Sequence, residues 1–414
     1  MRKNHLTGLA MALAVAACAG EAPGERAWTG TVDTLPDGRV RVVNTPAGVW
    51  AAGEPWRLVP DLRLGAIDGP EAEIFASISG LQVDGSGRIY VLDRQTNELR
   101  IFGPDGSHAR TVGGEGGGPG EYRAANGLEW VAPDSLLVVD QQGSRYSVLT
   151  SDGDLVRTVH RPLPFYGWVY SGAYLDGRVY EVYSVGAGGE RLPALLGSSL
   201  ARRGAEAGPR TTPDSAGRDN VGDTILLPVP DVTVVPAFSV RTDRGGMTMS
   251  VPFRARAVYH VGPEGTLWHG HGESPRLFRS TLAGDTLLEV HVGWEPTPVT
   301  SEEIEEWRTG SSVERFLAMG GDLDVSRIPD VKPLFESIYV DSGGYVWLSV
   351  PTGADRTAFA VLDPDGRYLG DLHVDGVDRD TFVAPVVRNG KLHLVGRDEL
   401  GVQSVYRFRI EGRE

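Results

Sequence analysis

Across residues 83–159 the chain alternates short apolar runs with short polar gaps. IYVLD (89–93), LRIF (99–102), LLVVD (136–140) and YSVL (146–149) are rich in β-branched, aliphatic and aromatic residues and too short for helices, so they predict strands. PDG (104–106) and SDG (151–153) close tight turns, and an Arg-Thr-Val strand follows each. Residues 83–112 and 130–159 match at one offset: Asp93 with Asp140, Asp105-Gly106 with Asp152-Gly153, Arg110-Thr111-Val112 with Arg157-Thr158-Val159. Each offset is 47 residues. A unit of about 45 residues with three or four strands is a propeller blade.

Fainter copies follow. Gly-x-aliphatic-aromatic recurs at Gly87-Ile89-Tyr90, Gly177-Val179-Tyr180, Gly265-Leu267-Trp268 and Gly344-Val346-Trp347. DPDGRYLGD (363–371) repeats the Asp-Gly turn, and GKLHLV (390–395) and YRFRI (406–410) read as strands of a last unit. The fold predicted is all-β, a six-bladed β-propeller over residues 28–414 as one domain, with blades near 75–115, 122–163, 166–230, 246–293, 333–374 and 380–412. The N-terminal strand region is expected to complete the last blade and hide both sheet edges. LPDGRVRVVN (35–44) reads as one more hairpin, and a seventh blade follows if residues 28–65 form their own. Two stretches break the period. Residues 202–250 show few strands beyond DTILLPV (223–229). Residues 300–319, TSEEIEEWRTGSSVERFLAM, carry a Ser/Thr start, acids in the first turn and spaced apolar residues, which predict a helical insert across one face of the ring, broken at Gly310.

Charge then narrows the partners. The formal net charge is −15, and without Arg2 and Lys3 the chain from Cys18 onward stands at −17. Such a surface repels phosphate backbones, which argues against nucleic acid. At the N-terminus, Arg2 and Lys3 precede an apolar run, Leu6–Val15, too short to span a bilayer. VAAC (15–18) resembles a bacterial lipobox, so residues 1–17 are expected to be a lipoprotein signal peptide and Cys18 the lipidated residue, followed by a polar tether to residue 27. Cys18 is the single cysteine, so no intramolecular disulfide is available. With Ala19 rather than aspartate next, the resemblance to sorted lipoproteins implies the outer membrane.

GGEGGGPGEY (113–122) sits between the first two units. A phosphate loop needs Gly-Lys-Ser/Thr opening a helix, and a dinucleotide site needs a strand–helix unit. Neither is present, so the run reads as a blade-to-blade crossing near the central channel.

The string Val83-Asp84…Gly87…Ile89-Tyr90-Val91…Asp93, then Arg100-Ile101-Phe102…Asp105-Gly106…Thr111…Gly113 and Gly118-Pro119-Gly120-Glu121-Tyr122, looks like an NHL repeat. The chain resembles the bacterial six-bladed propeller lipoproteins with NHL-like blades. The resemblance implies the fold more than the function, since NHL-type propellers include binding scaffolds, lyases and lactonase relatives.

Candidate chemistry is sparse. In WHGHGE (268–273), His269 and His271 alternate on one strand face and Glu273 extends it, a trio with the donors for zinc or calcium but no evident further ligand. Asp93 and Asp140 repeat with the blade, which marks them as turn-capping. Tyr90, Tyr180, Trp268 and Trp347, and His393 at the matching place in the last unit, read as packing. Arg145-Tyr146 has no equivalent in most units and is a candidate channel contact. There is no Gly-x-Ser-x-Gly elbow and no HExxH. No catalytic residue and no required cofactor is expected. The leading expectation is a membrane-anchored, periplasm-facing scaffold for a protein or glycan partner in the cell envelope. The alternative is a metal-dependent lyase or lactonase acting at His269 and His271.

Overall fold

A computed structural model describes residues 28–52, 55–161, 170–185, 192–200, 221–228, 237–243, 245–352 and 356–413. Cys18, its signal sequence and its tether lie outside these residues.

Six sheets, antiparallel among the blade strands, form the ring. Blade I holds Ile78–Val83, Ile89–Asp93, Glu98–Phe102 and His108–Gly113 in sequence order. Blade II holds Ala125–Val131, Ser135–Asp140, Arg145–Thr150 and Leu155–His160. Blade III runs from Gly172–Leu175 to Val221–Leu226, blade IV from Ala257–Val261 to Thr286–His291, and blade V from Ser337–Val340 to Tyr368–Asp375. Blade VI is built from Asp378–Arg379 and Val386–Arg388, then Lys391–Arg397 and Gln403–Glu411. Its outer edge is filled by the N-terminal strand Arg57–Leu64, antiparallel to Gln403–Glu411. Neighbouring blades touch around the whole ring. The chain is a six-bladed β-propeller.

Closure follows the expected scheme, but only residues 57–64 take part in it. The hairpin Thr31–Thr34 with Val40–Val43 instead extends blade IV, where Val40–Val43 runs parallel to Thr286–His291. Its placement has a packing cause. Val42 is buried against Leu288, Val290 and Tyr368, and Asn44 donates to the carbonyls of His291 and Gly366 while accepting from the Tyr368 amide. The hairpin therefore spans blades IV and V and makes no seventh blade.

The core is a set of apolar seams, one between each pair of successive blades. The aromatics of the Gly-x-aliphatic-aromatic motif fill them: Tyr90, Trp268 and Trp347 are almost fully buried. Two of them reach an aspartate in the preceding turn with their polar ends. Tyr90 donates to Asp84 at 2.9 Å and the Trp347 indole to Asp341 at 3.1 Å, so these two are buried with their donors satisfied.

The insert is helical, as the sequence predicts: α1 spans Ser301–Arg308 and α2 Ser311–Ala318. Thr300 and Glu303 form a capping box, and Gly310 separates the helices. A hairpin that the sequence pattern did not reveal, Phe238–Thr242 with Gly245–Met249, packs against them. Phe238 and Phe316 are the buried centre of this satellite core. Its clefts also touch Phe253, Thr352 and Arg379. These belong to the segment leading into blade IV, the middle turn of blade V and the start of blade VI, so the insert covers that end of the ring.

Candidate binding site in the central channel

The innermost strands enclose a cavity of about 530 Å³ on the ring axis. Register defines one layer of its wall. The residue facing the second-strand motif position is Gln82 opposite Tyr90, Glu129 opposite Leu137, Ala173 opposite Tyr180, His260 opposite Trp268, Tyr339 opposite Trp347 and Val386 opposite His393. All six are half-buried and all line the cavity.

Burial sets the charge of this layer. Glu129 touches the channel on one side, but protein surrounds it otherwise, and desolvation lifts its carboxyl from 4.5 to about 8. It is therefore protonated at neutral pH. The Tyr170 hydroxyl is buried toward that carboxyl and draws its pKa down somewhat. Burial lowers His260 to about 4, so its imidazole is neutral, and its ring meets Tyr339 edge-on. Gln82 donates to the Leu128 carbonyl at 3.2 Å. Tyr339 donates to the Ser337 hydroxyl and accepts from Arg379, whose guanidinium lies over the Tyr339 and Phe359 rings. Toward one end Arg388 donates to the Val83 carbonyl and lies over the Trp130 ring.

The residues singled out from sequence sit elsewhere. His269 and His271 do share a strand face, in Thr266–His271. His269 stacks on Phe278 at 5.3 Å and bonds the Ser280 hydroxyl at 3.0 Å; His271 Nδ1 accepts from the Glu273 amide at 3.3 Å. Burial lowers both imidazoles, and Glu273 is exposed at the turn. None of the three lines the channel. Among the described residues no group of three or more His, Cys, Asp or Glu is placed to hold a metal ion.

Arg145 is a clamp. It donates to Asp140 at 3.0 Å and to the carbonyls of Gly117, Gly118 and Glu121. It thereby folds the glycine run against blade II, away from the channel wall where the sequence suggested the crossing would lie. At Gly113, where φ is +103°, a Cβ would lie 2.6 Å from the Asn97 carbonyl oxygen, so the start of the run requires glycine. Tyr146 is buried in the seam between blades II and III, where its hydroxyl donates to Glu181. Arg161 grips the same carboxylate with two bonds of 2.9 and 2.7 Å. Neither Arg145 nor Tyr146 lines the channel. The repeated aspartates do cap their turns: Asp93 accepts from the amides of Ala76, Ser77 and Gln95, and Asp140 from those of Arg123, Ala124 and Gly143. His393 is buried with Nδ1 against the Val386 carbonyl.

The model of the DUF5128 family, described as a 6-bladed beta-propeller, matches residues 70–147. No curated protein sequence matches the chain. Among solved structures, a DUF4221-family member from Bacteroides vulgatus is similar at 11% identity and TM-score 0.44, over 86% of this chain and 99% of that one. A streptogramin B lyase structure follows at 10% and 0.41, over 86% and 98%. The virginiamycin B lyase of Staphylococcus aureus follows at 10% and 0.39, over 85% and 99%. At these identities the likeness is one of fold.

Proposed function

We propose that the protein is a binding scaffold of the cell envelope, anchored at the outer membrane by a lipid on Cys18, that presents one end of its propeller to a protein partner. The observation that carries this reading is an apolar group at one end of blade VI. Ile67, Phe382 and Leu400 are 59, 65 and 77% exposed. Phe382 lies on the segment leading into the innermost strand and also edges the channel. Leu400 lies on the turn between Lys391–Arg397 and Gln403–Glu411, and Ile67 just beyond the closing strand. All three lie on connections at the same end of the blade, and large apolar side chains held in water favour association. The helical insert flanks the same end of the ring, with a cleft of about 570 Å³ edged by Phe253 and Trp307. The lyase or lactonase reading gains nothing from His269 and His271, which serve a stack and a turn.

Only Lys332 and Lys391 remain beyond Cys18, so amine cross-linkers are poor probes. A photo-activatable phenylalanine at 382 or 400, in the full lipoprotein in its own envelope, is the test. A discrete protein adduct from both positions, and none from Val156 on the outer strand of blade II, is expected. The same pattern from all three positions, or no adduct, refutes the reading.

A further inference from the structure

Four arginines among the described residues are buried: Arg100, Arg161, Arg379 and Arg407. Three of them hold a carboxylate, Arg100 that of Glu98 at 3.0 Å, Arg161 that of Glu181 at 2.7 Å and Arg407 that of Asp61 at 2.7 Å. Arg379 is 8% exposed and has no carboxylate partner among the described residues. Its guanidinium donates to two neutral groups, the Tyr339 hydroxyl at 3.1 Å and the Ser349 hydroxyl at 2.9 Å. Its Nε–H donates to no described residue and is not sealed from solvent. A guanidinium taken out of water without a counter-anion is costly, so buried charges are normally paired. Arg379 lines a cleft of about 190 Å³ between the helical insert, blade V and the start of blade VI.

We propose that this cleft binds a small monocarboxylate, whose carboxylate supplies the counter-charge that Arg379 lacks. The site goes beyond the partner surface at Phe382 and Leu400 and adds a small-molecule pocket beside it. The planar fork of a guanidinium matches a carboxylate, and the Tyr339 and Phe359 rings that flank Arg379 fix its plane. The other charged groups of the cleft leave Arg379 uncompensated. Lys332 pairs with Glu303, which also accepts from the Thr300 amide. Glu336 and Asp378 are exposed, and neither pairs with Arg379. Three acids thus line the cleft of a chain that carries −15 overall, so one negative charge enters at less cost than a sulfate or phosphate dianion. Phe253, Val350 and Ala358 give the wall apolar surface for a short carbon chain.

The test is calorimetric titration of the full chain in detergent, in a carboxylate-free buffer. Acetate, propionate, lactate and pyruvate are the probes, propionamide the neutral counterpart and sulfate the dianion. Saturable binding of at least one monocarboxylate is expected, with propionamide and sulfate at least ~10-fold weaker. Arg379→Gln, which removes the charge-assisted pair, should weaken that monocarboxylate at least ~10-fold. Glu336→Gln, which takes a negative charge from the cleft, should keep the affinity or tighten it. Should Arg379→Gln not fold, propionamide, sulfate and Glu336→Gln still decide. No saturation by any of these monocarboxylates up to about 50 mM in a folded sample overturns the proposal. So does equal binding of propionamide, or undiminished binding by Arg379→Gln. Adduct formation at 382 and 400 reads the surface site separately, so either site can fail alone.

Discussion

Glu129→Gln should change how stability depends on pH, with or without a ligand. The wild-type carboxyl is raised from 4.5 to about 8 by burial. A group raised in the folded state is protonated there while the unfolded chain has already ionised. Folding stability therefore falls as pH climbs from 4.5 to about 8 and is flat on either side. The interval of about 3.5 in pKa, at 1.36 kcal/mol for each whole step, sets the loss at about 5 kcal/mol at most, and channel water that solvates the ion reduces it. Glutamine has no proton to lose and keeps the same shape, so it removes this slope and leaves every other group in place. Urea unfolding of both proteins at pH 5 and pH 9 provides the measurement. The variant should gain roughly 2–5 kcal/mol on wild type between the two pH values, and the difference between proteins cancels the other titrating groups. Parallel pH profiles would show that Glu129 ionises normally in the channel.

Acid should act in the opposite sense through the buried histidines. His393 is lowered from 6.5 to about 4, so its contribution is complete above pH 6.5 and lost as pH falls to about 4, costing about 3 kcal/mol; urea unfolding of His393→Gln should show a correspondingly shallower acid slope. Asp93→Ala removes an acceptor for three amides and should cost about 2–3 kcal/mol in thermal unfolding. Asp140→Ala should cost more, because it also frees Arg145 from its place on the glycine run. Leu64→Ala, at a nearly fully buried position of the closing strand, should cost about 2–4 kcal/mol and speed hydrogen exchange over residues 57–64 before the inner strands.

The ring was legible in the sequence because its structural chemistry repeats. Asp93 and Asp140 cap equivalent amides at an offset of 47, and Tyr90, Trp268 and Trp347 fill equivalent seams. The two helices were legible through Thr300, Glu303 and Gly310, which carry local start and break signals. The hairpin Phe238–Thr242 with Gly245–Met249 was not, since it borrows its core from helices some sixty residues on and leaves no local signature. The channel ring escaped for a sharper reason. Gln82 and Glu129 are themselves 47 residues apart, so the position repeats, but its residue type changes in every blade. Comparison by residue identity finds what a fold needs in every unit and passes over what a site needs once. Arg145 and Tyr146 were conspicuous for the converse reason: a loop clamp and an inter-blade hydrogen bond are each needed at one place, and from sequence alone they look like a site.

The most direct test of the binding account is a paired charge insertion at its apolar end. Phe382→Glu with Leu400→Glu, in the full lipoprotein, alters two exposed side chains and should leave thermal unfolding within about 1 kcal/mol of wild type. The account predicts that the partner identified by cross-linking no longer co-purifies with this variant, yet still co-purifies with Val156→Glu. Undiminished recovery of that partner with the doubly charged, folded variant would contradict it.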